Sequence, residues 1–424
     1  MRLLVLGGTW FLGRTVVSDA LARGWEVTAF SRGQSGSPHP GATHVRGDRT
    51  STDELKQLSA RGPWDATVDT SAFEPADVSR VLRTLGQLVG KYVLTSTVSA
   101  YREWPNAPVN EQSPLWPSQA EYTKASPELA DMSVSLRYGT LKAGCELAAT
   151  AASPGAILLR PGVILGPGEY VGRGLKLIER AARGGRWLLP EPRQQSIQPV
   201  DVRDVSSFTL EAIGAGLSGP YNLAAPRGFA TCEDLISTCI KLAGNRATPV
   251  WVDPDWLDAH GVKQWTEIPL WRTQPGTWAV DSSRAASAGF ACRPLHDTIA
   301  DFQKALEHGP LVDHPRQAAH GIDPQREAGL LARWDARVTS PLSSHGIYPG
   351  TSGGPDRSPP SARRKGSQMA VQRPMAFMVP TCETASSYSS IQVSTSRSDG
   401  VTDSDPAYVA PDPGDRRALD VHGA

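Results

Sequence analysis

The sequence has no excess of charge of either sign. Its 424 residues include 43 lysines and arginines against 43 aspartates and glutamates, so the formal net charge is +0 at pH 7. A chain without a basic surplus has no long-range attraction for nucleic-acid phosphates or for an anionic membrane surface. We therefore expect a small-molecule substrate, and neither a nucleic acid nor a membrane as the main partner.

Cysteine and long apolar runs are also scarce. The cysteines are scattered, and their number is odd: Cys145, Cys232, Cys239, Cys292 and Cys382. This argues against a disulfide framework and against a zinc ribbon, so we expect reduced thiols, a cytoplasmic location and no metal site. No apolar run reaches the length of a membrane-spanning helix, and "LLVLGG" after Arg2 is interpreted as a buried strand rather than a signal peptide.

Short apolar runs alternate with amphipathic stretches from residue 1 to about 165. The predicted strands, in chain order, are 2–7, 25–30, 43–47, 65–70, 91–96 and 155–161. This alternation predicts an α/β fold, with a doubly wound parallel sheet that helices cover on both faces. Ligands of such sheets bind at the carboxyl ends of the strands.

The composition changes twice further along the chain. Residues 166–337 have more Trp and Pro in a mixed pattern, with a return to the sheet near "YNLAA". Residues 338–424 are rich in Ser, Pro and Gly and cannot bury enough apolar surface to offset their chain entropy. We predict a dinucleotide-binding domain over 1–165, a smaller C-terminal substrate lobe over 166–337 and a disordered tail over 338–424.

A glycine-rich turn, "VLGGTWFLG", joins the first strand to the first helix. Gly7 and Gly8 allow a tight turn, Gly13 allows close packing of helix on strand, and the helix N-terminus offers N–H groups to a pyrophosphate. Trp10 stands where such turns usually have another small residue, so its indole must point away from the phosphates or lie over the cofactor. The predicted cofactor-binding residues of this turn are Gly7, Gly8, Thr9, Trp10, Phe11, Leu12 and Gly13. The alternative is a vestigial loop that binds nothing.

The second strand ends in Ser31 and Arg32, where NAD-selective sites usually carry an acidic residue. A hydroxyl and a guanidinium suit the 2′-phosphate of NADP, and Arg14 is a further candidate for that phosphate. We therefore predict NADP as the cofactor, with NAD as the second choice. Asp48, after the third strand, is predicted to meet the adenine edge.

A tyrosine and a lysine lie four residues apart in a predicted helix, "SLRYGTLKAGCELAAT". Tyr138 and Lys142 therefore share one helix face, and Lys142 is the only lysine of the chain with a tyrosine at this spacing. An ammonium group beside the phenol favours the phenolate, so the pair can move a proton while a nicotinamide moves a hydride. Ser96 and Thr97, at the end of a buried strand, are candidates to hold a substrate oxygen near Tyr138.

The glycine turn, the "TSTVSAY" strand end and the "YGTLK" helix resemble the short-chain dehydrogenase/reductase superfamily. The likeness is to its extended and atypical members, the NAD-dependent epimerase/dehydratase family, and covers about residues 1–335. It implies a Rossmann-type fold, with Thr97 as the active hydroxyl and Tyr138 as the acid/base. It also implies that Lys142 binds the nicotinamide ribose and tunes the tyrosine. Two function classes stay open: an NAD(P)-dependent oxidoreductase, epimerase or dehydratase, and a non-catalytic member that binds RNA or regulates.

The segment from 102 to 137 is longer than in most relatives. We interpret it as a lid over the substrate with Trp104 and Trp116 as walls, and an unrelated surface insertion is the alternative. The substrate is a sugar or sugar nucleotide by resemblance, and a homodimer stays open. Four arginines lie in the region that would bind a diphosphate: Arg160, Arg173, Arg180 and Arg193.

Overall fold

The computed structural model describes residues 1–308 and 314–339 as an α/β protein. The strands are β1 (Arg2–Leu6), β2 (Glu26–Ser31), β3 (Thr43–Arg46), β4 (Ala66–Asp69), β5 (Lys91–Thr95), β6 (Ile157–Pro161), β7 (Ile164–Leu165), β8 (Gly185–Pro190), β9 (Ser196–Ile197), β10 (Val200–Asp201), β11 (Gly219–Leu223), β12 (Ala230–Thr231) and β13 (Ala247–Val252). Seven of them form one parallel sheet in the order β11-β6-β5-β4-β1-β2-β3.

Helices alternate with these strands along the chain, and several of them cover the seven-stranded sheet. They are α1 (Phe11–Ala22), α2 (Thr52–Ser59), α3 (Pro75–Leu85), α4 (Val134–Ala152), α5 (Arg173–Arg183), α6 (Val202–Gly214), α7 (Cys232–Leu242), α8 (Pro254–Ala259), α9 (Ser283–Ser287), α10 (Leu295–His308) and α11 (Pro324–Thr339). None of the described helices is long and apolar enough to cross a bilayer.

The first strand shows why the sheet is buried on both faces. Leu3 and Val5 belong to one apolar core with side chains of α1 and α6, whereas Leu4 and Leu6 belong to another with side chains of α2, α3 and α4. Since successive side chains of a strand point to opposite faces, a continuous apolar run requires helices on both sides. This confirms the predicted doubly wound fold.

The six strands predicted before residue 165 are β1 to β6, and β11 adds the "YNLAA" segment to the sheet edge beside β6. The sequence pattern did not indicate α2, which is short and begins where the Ser51 hydroxyl accepts a hydrogen bond from the Glu54 amide. The division of the chain near residue 165 stays a prediction. Residues 309–313 and 340–424 lie outside the described residues, and the predicted disordered tail is therefore not tested beyond residue 339.

A third apolar core lies after residue 160. The two-stranded parallel sheet of β8 and β13 packs with α5, α7 and α10. Its buried side chains include Trp187, Trp265 and Trp278, together with Phe302 of α10. The Trp-rich composition that predicted a separate lobe is thus explained by large aromatic side chains that fill this core.

Candidate active site

The glycine turn lies at the carboxyl end of β1, between β1 and α1. Gly7 has φ +91°, which side chains rarely adopt, and a Cβ atom at Gly13 would lie 2.2 Å from the Gly7 carbonyl oxygen. Both positions therefore require glycine. No side chain caps the N-terminus of α1, and its first turn carries no carboxylate. The turn thus retains the close backbone approach and the amide groups that a pyrophosphate needs.

The Trp10 indole points toward the segment that precedes α5. Its ring centroid lies 5.1 Å from that of Tyr170 and 5.4 Å from that of His314, both in edge-on contacts. Phe11 lies 6.2 Å from the same tyrosine. The bulky residue of the turn therefore contacts an aromatic cluster of Trp10, Phe11, Tyr170 and His314.

Basic side chains surround the end of β2. The Ser31 hydroxyl lies 3.0 Å from His44 Nε2, and Arg32 is exposed. Arg46 pairs in register with Ser31 on β3 and lies beside Gly33. The sequence analysis missed His44 and Arg46, whose signal was their place on the neighbouring parallel strand.

The side chains of Arg14 and Asp48 each form hydrogen bonds with groups of nearby loops. Arg14 Nη1 donates to the Ser37 carbonyl at 2.7 Å. Asp48 Oδ1 accepts from the amide and the hydroxyl of Thr50, both at 2.9 Å. The roles predicted for both residues at the adenosine end of the cofactor stay predictions.

Arg49, which the sequence analysis did not identify, follows Asp48 and forms a buried ion pair with Asp69. Its two terminal nitrogens each donate to one Asp69 oxygen at 2.7 Å, and the Tyr92 hydroxyl donates to the same carboxylate at 2.7 Å. Burial alone would raise the pKa of Asp69, but the charge and hydrogen bonds of Arg49 outweigh it and lower that pKa. This pair fixes the end of β4.

Helix α4 carries the tyrosine and the lysine to the middle of the sheet. Ser133 caps its N-terminus, because the Ser133 hydroxyl accepts a hydrogen bond from the Leu136 amide. Tyr138 is half-buried, whereas Lys142 is buried, and its Nζ donates to the carbonyls of Ala72 at 2.7 Å and Thr95 at 2.6 Å. Burial lowers the pKa of Lys142. The lysine therefore joins α4 to the ends of β4 and β5.

The hydroxyl candidates of the strand end have different partners. Ser96 Oγ donates to Glu146 Oε1 at 2.5 Å, so it is committed to a buried carboxylate. Thr97 Oγ1 accepts from the Ser99 amide at 3.2 Å, which leaves its own proton available. A Cβ atom at Gly139 would lie 2.3 Å from the Ser99 carbonyl oxygen. The Thr97 turn and the Tyr138 helix are therefore in direct contact.

Three of the four arginines considered for a diphosphate pair with carboxylates of the chain, and Arg193 does so with Glu233 in an exposed ion pair of 3.5 Å. Arg160 forms a bidentate pair with Glu146, at 2.9 Å from Nε and 2.6 Å from Nη2, and also donates to the Tyr101 hydroxyl at 2.8 Å. Arg180 donates through Nε to both oxygens of Glu327. The Arg160 and Arg180 side chains have structural partners, which the sequence could not show because each partner is distant along the chain.

The 102–137 segment is attached to residues 277–280, in the part of the chain predicted to form the substrate lobe. Trp104 Nε1 donates to the Thr277 carbonyl at 3.4 Å, and Val109 forms a parallel bridge with Val280. Trp116 lies against Gly139, where an added Cβ would be 3.0 Å from its ring. The segment therefore contacts both the helix of Tyr138 and the lobe, as a wall of a shared site would.

Within residues 1–308 and 314–339, no group of three or more His, Cys, Asp or Glu side chains could hold a metal ion. The site described here consists of backbone amides, hydroxyls, a phenol, an ammonium group and guanidinium groups. These groups can hold anions and move protons.

Comparison with curated proteins gives two relatives. The chain is 24% identical over 260 residues to the chloroplast stem-loop binding protein of 41 kDa b of Arabidopsis thaliana, a match that covers 57% of this chain and 63% of that protein. It is 33% identical over 123 residues to a 2′-dehydrokanamycin reductase of Streptomyces kanamyceticus, covering 29% and 34%. The chain thus spans less than two thirds of the length of either relative.

Solved structures with the same fold include a putative epimerase from Burkholderia cenocepacia, with 18% identity, coverage of 72% of this chain and 97% of that chain, and a TM-score of 0.55. The Bordetella bronchiseptica enzyme WbmH in complex with NAD+ has 18% identity, coverage of 73% and 99%, and a TM-score of 0.54. The Thermotoga maritima UDP-glucose 4-epimerase with UDP-glucose has 19% identity, coverage of 72% and 100%, and a TM-score of 0.52.

The sequence model of one family matches residues 3–224, more than half of the chain. The matched part includes the glycine turn, the strand end of Thr97 and the helix of Tyr138 and Lys142. On this match, the chain belongs to the NAD-dependent epimerase/dehydratase family.

Proposed function

We propose that the protein is an NAD(P)-dependent oxidoreductase of the epimerase/dehydratase type, which acts at a carbinol or carbonyl carbon. The observation that carries the proposal is the contact between α4, which bears Tyr138 and Lys142, and the strand end of Thr97. Thr97 follows the carboxyl end of β5, and Lys142 Nζ reaches the Thr95 carbonyl at the same strand end, where ligands of doubly wound sheets bind.

The residues present fit a dinucleotide. The uncapped N-terminus of α1 and the close approach at Gly7 and Gly13 suit a pyrophosphate, and Trp10 contacts Tyr170 and His314 instead of closing the turn. When bound, a nicotinamide cofactor supplies hydride exchange at the substrate carbon.

In this mechanism, Tyr138 donates its phenolic proton to the substrate oxygen in reduction and accepts it in oxidation. Lys142 lies one helical turn away, and its ammonium charge stabilises the phenolate. The carbonyls of Ala72 and Thr95 fix that ammonium group, so it need not reorganise during proton transfer. Thr97 retains a hydroxyl proton that can hold the substrate oxygen.

NADP is the proposed cofactor, because the end of β2 provides Ser31, Arg32, His44 and Arg46 in place of a carboxylate. A 2′-phosphate needs hydrogen-bond donors and positive charge, and a guanidinium group supplies both. Titration of NADP and NAD against Arg32→Ala and Arg46→Ala should show a loss of about tenfold or more for NADP and little change for NAD. Arg61→Ala, on the surface after α2, is the control. Equal losses of affinity for NADP and NAD would contradict the proposed preference for NADP, but not the proposed oxidoreductase activity.

The proposed activity is tested with Tyr138→Phe. Once a carbonyl or carbinol compound that exchanges hydride with NADPH or NADP is found, loss of the phenolic proton should lower turnover by about a hundredfold or more. The Kd for the dinucleotide should stay unchanged, because the ring is kept. Tyr221→Phe, on the edge strand β11, is the matched control. Wild-type turnover by Tyr138→Phe would exclude the phenol from the mechanism.

Nucleic-acid binding is the second candidate function, since one relative is named for binding a stem-loop. The balanced charge of the chain argues against nucleic-acid binding. A protein that binds a stem-loop RNA but neither NADP nor NAD would favour this candidate over the oxidoreductase.

A further inference from the structure

Three aromatic rings from distant parts of the chain meet beside the glycine turn. The ring centroid of Trp10 lies 5.1 Å from that of Tyr170 and 5.4 Å from that of His314, and the latter two centroids are 5.3 Å apart. All three contacts are edge-on, which is a geometry that aromatic rings favour. Trp10 immediately precedes α1, Tyr170 lies just before α5, and His314 follows α10. The rings therefore join the turn to two segments that are far from it in sequence.

The turn carries backbone strain at the residue that follows Trp10. Phe11 has φ +29°, a conformation that residues with side chains rarely adopt. Its ring lies 6.2 Å from that of Tyr170, and a Cβ atom added at Gly168 would lie 3.9 Å from the Phe11 ring. Strain of this kind persists where the surrounding structure requires it, here where the turn meets the segment before α5.

The segment that carries the histidine ring runs along the start of α5. A Cβ atom added at Gly172 would lie 3.0 Å from the Cα atom of Gln317, and one added at Gly321 would lie 3.6 Å from the Lys176 side chain. Since positions four residues apart are about one helical turn apart, the two segments follow each other over the first turn of the helix. We name residues 314–321 the strap.

The strap has one end fixed in the protein and a middle part on the surface. At the fixed end, His320 is 6% exposed, and the Gly321 amide donates to the Thr266 carbonyl at 2.9 Å. None of the described residues Pro315–Ala319 is buried. Segments that bury little apolar surface open at a low cost in free energy while the core around them stays folded. The strap can therefore lift from the turn while it remains attached at Gly321.

The three rings stand beside the amides that would hold a pyrophosphate. Trp10 is the flanking residue at the N-terminus of α1, and its side chain makes no capping hydrogen bond to that helix. The loop after β2 contacts the same turn, because Thr9 Oγ1 lies 3.2 Å from Ser35 Oγ and Arg14 donates to the Ser37 carbonyl. The rings pack on one another and not on the amides of α1. They are therefore arranged as a cover next to a binding site rather than as a set of ligands.

We propose that the strap, through the His314 ring, closes over the dinucleotide site and must open each time the cofactor enters or leaves. This inference rests on the proposed function, because it concerns the same turn. Opening separates His314 from Trp10 and Tyr170, and these contacts lie within the protein whether the site is empty or filled. A cover that is equally stable in both states changes rates and not affinity. The strap therefore slows association and dissociation by the same factor and leaves the Kd nearly unchanged.

The test measures both rate constants on the full chain by stopped-flow fluorescence, with NADPH and with NADH in parallel. Mixing gives the association rate constant, and displacement by an excess of the oxidised dinucleotide gives the dissociation rate constant. His314→Ala removes two aromatic contacts, so both rate constants should rise by roughly fivefold or more, with the Kd changed by less than about threefold. His314→Phe keeps a ring and should retain the wild-type rates. His308→Ala, an exposed histidine at the end of α10, is the matched control.

A second variant keeps the outcomes distinct. Tyr170→Leu removes the other ring that His314 contacts and should also raise both rate constants, and thermal melting of each variant establishes that it is folded. Wild-type rates in both His314→Ala and Tyr170→Leu would overturn the role of the strap and leave the proposed function standing. A faster dissociation with unchanged association would show that the ring binds the cofactor itself, which would overturn the cover. Absence of binding of either dinucleotide to wild type would overturn the proposed function, and the strap with it.

Discussion

The Trp10 indole caps no amide of α1 and instead contacts the rings of Tyr170 and His314. Its Nε1 is buried without a partner among residues 1–308 and 314–339. A side chain in this position links the turn proposed to hold the phosphates to the segment before α5.

Trp10→Gly should preserve dinucleotide binding to within a few fold, because the ring points away from the amides of the turn. The variant should lose part of the fluorescence change that the cofactor produces in wild type. Gly13→Ala should be far more harmful, since its Cβ would overlap the Gly7 carbonyl. Gly214→Ala, at the end of α6 with no atom within 4 Å of the added Cβ, is the control. Loss of binding in Trp10→Gly equal to that in Gly13→Ala would show that the indole itself holds the cofactor.

His320 makes stability depend on pH. Its Nδ1 donates to the Arg316 carbonyl at 3.1 Å, and its buried Nε2 has no partner within the described ranges. Burial, and then the charge of Arg173, lower its pKa to about 4 from 6.5. Because the unfolded chain binds this proton near pH 6.5 and the folded chain does not, stability is lost as the pH falls from 6.5 toward 4.

The free energy of unfolding, measured in urea between pH 7 and pH 4.5, should therefore fall more steeply with acid in wild type than in His320→Gln. His296→Gln is the control, because this exposed imidazole stays in water in both states. Parallel pH curves for wild type and His320→Gln would contradict the assignment.

At the scale of elements, α4 is joined to β6 by a buried ion pair. Glu146 and Arg160 are 3% and 4% exposed, and the pair also includes the hydroxyls of Ser96 and Tyr101. Burial raises the pKa of Tyr101 to about 12, so its hydroxyl stays protonated and donates to Asn222 at 2.7 Å. The helix that bears Tyr138 is thereby fixed to the sheet at its C-terminal half.

Glu146→Gln should lower the free energy of unfolding by about 3–5 kcal/mol, because it leaves the buried Arg160 without its counter-charge. Asp53→Asn, in the exposed pair with Lys56, should change it by less than about 1 kcal/mol. Chemical denaturation of both variants measures the difference. A change of the same size in both would mean that water screens the Glu146 pair as well.

Sequence patterns predicted elements far better than they predicted partners. The strands could be predicted because each is a short apolar run. The shared helix face of Tyr138 and Lys142 could be predicted because helical spacing depends only on neighbouring residues. The partner of Arg160 could not be predicted, because a guanidinium group can pair with any carboxylate and only the fold brings Glu146 close to it. For the same reason, the contact of Arg173 with the distant Trp265 leaves no local signal.

At the scale of the whole molecule, α11 is an integral part of the substrate lobe. Its Glu327 is 3% exposed and accepts from Arg180, from Arg183 and from the Leu188 amide. Leu330 of the same helix belongs to a core with side chains of β8 and β13. The last described helix therefore completes the lobe, close to where the composition turns to Ser, Pro and Gly.

Two truncations should behave differently. Removing residues 340–424 should leave the Tm and dinucleotide binding unchanged, because the composition of this stretch offers no core. Removing residues 324–424 should lower the Tm sharply, because it exposes the apolar partners of α11 and leaves Arg180 without its carboxylate. Differential scanning fluorimetry compares them. A large drop with the shorter truncation would show that residues beyond 339 contribute to the folded body.

The attachment of Trp104 to Thr277 spans 173 residues of chain, and this separation sets an order of events on the ribosome. The glycine turn, Tyr138 and Lys142 are all synthesised before Thr277, and the interval after Lys142 is on the order of 10–30 s at the usual rates of synthesis. During that time the residues proposed to hold the phosphates have all been made, while the 102–137 segment still lacks its contact with Thr277. Because α6 packs on α1, the proposed dinucleotide site is complete once residues 202–214 have been made, and on the proposed function the cofactor can stabilise the nascent chain before Thr277 is added.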